Sequence, residues 1–211
     1  MVDYYAKRAA EHDRIYALPE RQNDVRRLQQ FCQTRFAGLE VLEISCGTGY
    51  WTQFIASSAR SIVATDINEE VLAIARGRQS EGAQVEFSRA DSYELPDLSR
   101  PFAAGFAGFW WSHVPKRRLD AFLAGFHRRL VPGALVAFID NRYVPGSSTP
   151  ISRTDESGDS FQLRKLGDGS VHEVLKNFPA PEELKAAIDY RATSVEITLL
   201  DYYWILTYRA K

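Results

Sequence analysis

Cysteine is scarce in this chain. Two in 211 residues, Cys32 and Cys46, exclude a disulfide scaffold. Cys46 stands inside a glycine turn that a disulfide would hinder, so a reduced thiol is expected there, as a small packed residue rather than a nucleophile. Net charge is scarce too. The 26 Lys and Arg against 27 Asp and Glu leave −1, too little field to gather nucleic acid or an anionic membrane. The basic run Lys116-Arg117-Arg118 opens a helix without interleaved aromatics, which fits a solvated surface. No apolar run approaches membrane-spanning length. The start, Met1-Val2-Asp3-Tyr4-Tyr5, lacks the basic and apolar regions of a secretory leader. A cytoplasmic protein is expected. His, Cys, Asp and Glu nowhere take metal-ligand spacing, so no metal is expected. There is no G-x-S-x-G elbow, no repeat, no low-complexity tract and no linker. One domain over 1–211 is expected.

What the chain does have is a strand that runs into glycines. Val41-Leu42-Glu43-Ile44 leads to Ser45-Cys46-Gly47-Thr48-Gly49. A helical pattern follows, with Trp51, Phe54 and Ile55 apolar. A second apolar strand over 61–65 ends in Asp66, 19 residues after Gly47. This is the layout of a nucleotide-type site at the carboxyl end of the first strand of a Rossmann-like sheet. The glycines let backbone approach a ligand, and the acid accepts from ribose hydroxyls. A dinucleotide fingerprint needs a third glycine, in G-x-G-x-x-G. Thr52 stands at that position, so the NAD pattern fails. An acid at the strand end followed by Gly-x-Gly suits a ligand without a pyrophosphate.

The rest of the chain alternates strands and helices. Residues 3–17, with Tyr4, Tyr5, Ile15 and Tyr16, read as a short helix, and 20–36 as a second. Strands are expected at 40–45, 61–66, 84–88, 102–109 and 134–140, with helices at 50–58, 69–78 and 115–130 between them. That alternation indicates a parallel, doubly wound sheet. Past Asp140 the pattern changes. The 141–180 segment is expected as an insert holding a β-hairpin, 161–166 with 170–178, turning at Gly167-Asp168-Gly169. A helix at 181–188 and strands at 193–200 and 202–208 follow.

At its first strand the sequence resembles the class I methyltransferases that use S-adenosylmethionine (SAM). Glu43-Ile44-Ser45-Cys46-Gly47-Thr48-Gly49 looks like their first motif, Ala64-Thr65-Asp66-Ile67-Asn68 their second and Arg89-Ala90-Asp91-Ser92 their adenine-binding third. The resemblance covers residues 36–140 well and the remainder loosely. Ser45 is a mild variant, since the family usually has glycine or another small residue there. The resemblance implies the strand order 3-2-1-4-5-7-6 with the last strand antiparallel. It implies SAM as cofactor and S-adenosylhomocysteine as product.

By the same resemblance, Glu43, Ser45, Gly47, Thr48 and Gly49 form the loop against the methionine part, with Glu43 alternatively a helix cap. Asp66 takes the ribose, Ile67 packs on adenine, and Asp91 and Ser92 bind its edge. Asp91 alone reads equally as a turn residue. In Phe109-Trp110-Trp111-Ser112-His113 one tryptophan is expected to face the site. Trp110 is assigned to the sulfonium side and Trp111 to the acceptor. His113 is either a general base or a structural histidine. Residues 1–36 are expected as helices and a lid, with Tyr4, Tyr5, Arg8 and Tyr16 on the acceptor. Arg8 would pair a carboxylate of SAM or of the acceptor.

Methyl transfer to nitrogen or oxygen of a small-molecule acceptor is the function expected. The protein would act as a monomer or homodimer, without nucleic acid or membrane. A non-catalytic SAM- or adenosine-binding module acting through a protein partner is the alternative.

Overall fold

A computed structural model of the chain describes residues 2–78, 82–98 and 100–211. The amino end forms α1 (Val2–Arg8), a 3-10 stretch (Ala9–Ala17), a 3-10 turn (Pro19–Arg21) and α2 (Gln22–Arg35). The single helix expected over 3–17 is therefore half α and half 3-10. The tighter winding aligns side chains three apart. Here that sets Asp13 and Tyr16 on one line, and both reach the glycine turn.

Five strands follow: β1 (Glu40–Ile44), β2 (Ser61–Asp66), β3 (Gln84–Arg89), β4 (Phe102–Gly108) and β5 (Leu130–Asn141). They are connected through α3 (Thr52–Ala56), α4 (Glu69–Gly77) and α5 (Lys116–His127). The segment after β5 carries β6 (Arg153–Thr154), β7 (Ser160–Lys165) and β8 (Val171–Leu175). The chain closes with α6 (Pro181–Ile188), β9 (Ala192–Leu199) and β10 (Tyr203–Ala210). The main sheet runs β3-β2-β1-β4-β5-β10-β9. Neighbours from β3 to β5 are parallel, and β10 is antiparallel to both β5 and β9. This is the expected order, with β9 and β10 as its sixth and seventh strands. The expected hairpin is β7–β8, and the two-residue β6 adds a third strand to it.

Side chains alternate across the sheet with period two. Val41, Leu135, Ala137 and Ile139 face one core, with Leu28 and Cys32 of α2 and Phe36 just past its end. Leu42, Ile44, Val136 and Phe138 face the other, with Phe122 and Phe126 of α5 and Leu184 of α6. The small residues of β4 let α5 lie close: a Cβ on Gly105 would stand 2.7 Å from the Phe126 ring. Strand order reverses at β1 and β4, where the winding turns outward in both directions. An open α/β sheet leaves its crevice at the carboxyl ends of such a pair.

Candidate active site

A cavity of about 310 Å³ occupies that crevice. Glu43, Ser45, Gly47, Thr48, Asp66, Ile67, Asp91, Ser92 and Trp110 line it from the sheet and its loops. Tyr5, Arg8 and Tyr16 line it from the amino end, and Arg164 and Lys176 from the insert. Both strands at the reversal are followed by a left-handed residue that is not glycine: Ser45 at φ 53° and Phe109 at φ 59°. Such backbone costs on the order of 1–3 kcal/mol and recurs at ligand sites. It also explains why a glycine suits position 45.

One carboxylate organises the glycine turn. Asp66 Oδ2 accepts the Gly47 N–H at 2.9 Å and Oδ1 accepts the Asn68 N–H at 2.9 Å. Gly49 is held by close packing. Its φ is +73°, and a Cβ there would lie 3.1 Å from Ala75 Cβ on α4. Ser45 Oγ and Ser92 Oγ are 2.7 Å apart, linking the ends of β1 and β3. Asp91 Oδ1 accepts from the Tyr93 N–H at 2.9 Å, so it makes the turn while also lining the cavity.

Glu43 is 1% exposed, and its Oε2 has no hydrogen-bond partner. Burial pushes its carboxyl up to about 8. Thr52, packed beside it without an aligned hydrogen bond, pulls down, and Asp66 pushes up. At neutral pH Glu43 is protonated. A buried acid with an unused oxygen at a ligand cavity suits a cationic group. Trp110 Nε1 is likewise buried without a partner. Cys46 and Cys32 are free buried thiols, raised well above the usual range by burial.

The amino end is stitched to this turn. Tyr16 stacks on Tyr50 with ring centres 4.1 Å apart and accepts the Trp51 Nε1–H at 3.0 Å. Thr48 Oγ1 donates to Asp13 Oδ1 at 2.6 Å. Arg78 ion-pairs with Asp13 and donates from Nε to the Thr48 carbonyl at 3.0 Å. Asp13 carries no motif in the sequence. Its distance of three from Tyr16 is the only local sign of its role.

Beyond the sheet, a second group of polar residues borders the cavity. His113 is 4% exposed. Its Nδ1 lies 2.6 Å from the Leu175 carbonyl and its Nε2 2.7 Å from the Tyr5 hydroxyl. Burial first, then the Lys176 and Arg164 charges, hold it well below the usual histidine range. Lys176 is buried against Asp140, with Nζ 2.9 Å from Oδ1, and donates to Ser112 Oγ at 2.6 Å. Burial lowers it to about 8 despite the opposing pull of Asp140. Arg164, partly buried, donates through Nε and Nη2 to Gln162 Oε1. Arg164 and Lys176 lie in the insert outside any motif, which is why the sequence did not point to them.

Two expectations are corrected. Trp111 does not face the cavity. It is 4% exposed and packs edge-on against Phe138 at 5.0 Å and Trp204 at 6.1 Å. A 3-10 turn of Trp111–His113 rotates successive side chains by about a third of a turn, so Trp110 reaches the cavity while Trp111 turns into the core. Tyr4 is also turned away. It is buried against Leu166 and Val174, and its hydroxyl accepts from Arg8 Nη1 at 3.2 Å. It braces Arg8 rather than lining the site.

The model of the "Methyltransferase domain" family matches residues 41–133. The chain is 29% identical over 154 residues to a demethylmenaquinone methyltransferase of Clavibacter sepedonicus, covering 72% of this chain and 59% of that protein. It is 32% identical over 156 residues to a probable S-adenosylmethionine-dependent methyltransferase of Mycobacterium tuberculosis, covering 71% and 50%. The chain thus spans about half the length of the curated relatives it matches. Among solved structures it superposes on one described as a DhpI–SAH complex, with a TM-score of 0.80, 27% identity, and coverage of 99% of this chain and 94% of that one. A DhpI–SAM–HEP complex fits equally well, at 0.79 and 26%. Among the described residues no helix is long and apolar enough to cross a membrane. A chain that matches the methyltransferase-domain family at residues 41–133 and follows SAH- and SAM-bound structures over 99% of its length belongs to the class I SAM-dependent methyltransferases.

Proposed function

We propose that this chain transfers a methyl group from SAM to nitrogen or oxygen of a small-molecule acceptor, acting as one domain. One observation carries this reading: a single cavity joins the Asp66–Gly47 half to the Tyr5–His113 half. A binding module that acts only through a partner protein has no need of the second half.

In this reading Asp66 accepts from the ribose, Ile67 and Trp110 flank the adenine and sulfonium, and Asp91 and Ser92 take the adenine edge. Glu43, Ser45, Thr48 and the two glycines shape the loop around the methionine part. When bound, SAM supplies a methyl on an electrophilic sulfonium, ready for in-line displacement. The protein's task is then alignment and exclusion of water. Tyr5, Arg8 and Tyr16 close the cavity from above. His113 has both nitrogens engaged, by Leu175 and Tyr5, and its depressed pKa makes it a weak base. We assign it to positioning Tyr5.

Calorimetry tests the cofactor half, with S-adenosylhomocysteine expected to bind and NAD not. Tight binding of NAD would sink the reading. Transfer of labelled methyl from SAM to any of a panel of small amines, alcohols and acids tests the catalytic half.

A further inference from the structure

The insert side of the cavity is strongly cationic. Arg8, Arg164 and Lys176 all line it. All three push on the same point, since each lowers the pKa of His113. Among the described residues, Asp140 answers them on this side through its ion pair with Lys176. Arg8 and Arg164 form no ion pair among the described residues. Arg8 is braced by the Tyr4 hydroxyl, and Arg164 by the neutral amide of Gln162. These partners orient guanidinium groups without neutralising them. Concentrated positive charge in a partly desolvated cavity is costly unless something anionic completes it. The acids that line the cavity, Glu43, Asp66 and Asp91, lie at the ends of β1, β2 and β3, and the last two are engaged with turn amides. Two guanidinium forks and an ammonium on one cavity can grip an oxyanion through several charge-assisted hydrogen bonds.

We propose that the methyl acceptor carries a small oxyanion group, a carboxylate or a phosphate-type group, held by Arg8, Arg164 and Lys176. The proposal rests on the methyltransferase reading and names its substrate class. It gives the insert a function: β7 and β8 deliver Arg164 and, just past the end of β8, Lys176 to the mouth of a site that the sheet has already built. The Lys176–Asp140–Ser112 contacts then fix the ammonium in place while leaving the two guanidiniums to the ligand.

The test uses full-length protein loaded with S-adenosylhomocysteine, titrated with inorganic phosphate and separately with acetate at pH 7. Saturable binding of at least one is expected, and the tighter of the two identifies the anion class. Arg164→Gln and Arg8→Gln should each weaken it by about tenfold or more, the worth of one charge-assisted contact. Affinity for S-adenosylhomocysteine should stay within about threefold, since neutralising a cation on the insert side leaves the cofactor half intact. Arg164→Lys, which keeps the charge and loses the fork, should fall between wild type and Arg164→Gln. Absence of anion binding to the loaded protein overturns the subsite alone. So does a pattern in which Arg8→Gln and Arg164→Gln weaken S-adenosylhomocysteine and spare the anion, which would assign these cations to the cofactor's own carboxylate. Failure to load with S-adenosylhomocysteine at all overturns the methyltransferase reading instead.

Discussion

The Tyr5 hydroxyl meets His113 Nε2 at 2.7 Å, across 108 residues of chain. The partner of the other ring nitrogen decides the direction of this bond. His113 Nδ1 faces the Leu175 carbonyl at 2.6 Å, which can only accept, so Nδ1 carries the proton. In a neutral ring Nε2 is then the acceptor and Tyr5 the donor. Three segments meet there: α1, the turn after β4, and β8 of the insert.

Replacing Tyr5 by Phe removes that bond and keeps the ring's packing. S-adenosylhomocysteine affinity is expected to stay within about threefold, because the cofactor half is built elsewhere. Turnover should fall by about tenfold or more, since acceptor alignment depends on the roof. Equal losses in affinity and turnover would place Tyr5 in the cofactor half. Because His113 is neutral well above its lowered pKa, wild-type turnover should show no His113 step between about pH 6 and 8.

Glu43 sets a pH dependence of stability. Its folded pKa, about 8, lies above the ordinary 4.5. The folded state therefore holds a proton that the unfolded state releases, and the contribution is complete below 4.5 and lost as pH rises towards 8. Glu43→Gln has no proton to lose. The unliganded variant should gain ~2–4 kcal/mol on wild type between pH 5 and 8. Denaturant melts across that range would read it, and parallel stability curves for the two proteins would refute it. Binding of SAM, which brings positive charge, should also release protons, visible as buffer-dependent heats.

Asp66→Ala removes the acceptor for two turn amides as well as the proposed ribose contact. SAM affinity should drop by roughly 2 kcal/mol. Stability should drop too, by about 1–2 kcal/mol, because Gly47 and Asn68 lose their partner. Asp66→Asn keeps acceptor capacity and is expected to recover part of the stability but little of the affinity. Unchanged affinity in folded Asp66→Ala would move the ribose elsewhere.

Two truncations should differ sharply. Removing residues 1–8 takes Tyr5 and Arg8 and leaves the hydrogen bonds to the glycine turn. Cofactor binding is expected to survive while turnover is lost. Removing 1–18 also takes Asp13 and Tyr16, which hold Thr48 and Trp51. Affinity for S-adenosylhomocysteine should then fall by about tenfold or more, two hydrogen bonds being worth that much. Full binding in the longer truncation would show that the 3-10 stretch only covers the site.

The proposed cofactor half was legible because its residues lie in short runs. Glu43 to Thr48 and Asp66 to Asn68 each place cavity-lining residues a few positions apart at a strand end, and local geometry does the rest. The proposed acceptor half was not legible, because its residues come from distant segments. Arg164 and Lys176 look in the sequence like ordinary charges on alternating strands. Trp110 and Trp111 look alike as well, and only the winding of the turn sends one to the cavity and the other against Phe138. Tyr4 and Tyr5 part in the same way on α1.

By itself the sequence determined the layers of this protein. Periodic apolar residues specify strands and helices, and the glycine turn before Asp66 falls at the crevice. Those are local properties, settled by backbone sterics and by the need to bury one face. Tertiary structure decided the charge of the insert side of the cavity. It brought Arg8, Arg164 and Lys176 to one cavity and paired Asp140 with Lys176. Charge balance over the whole chain is near zero, and only folding could separate it, because electrostatic energy depends on distance and burial rather than on position in the chain.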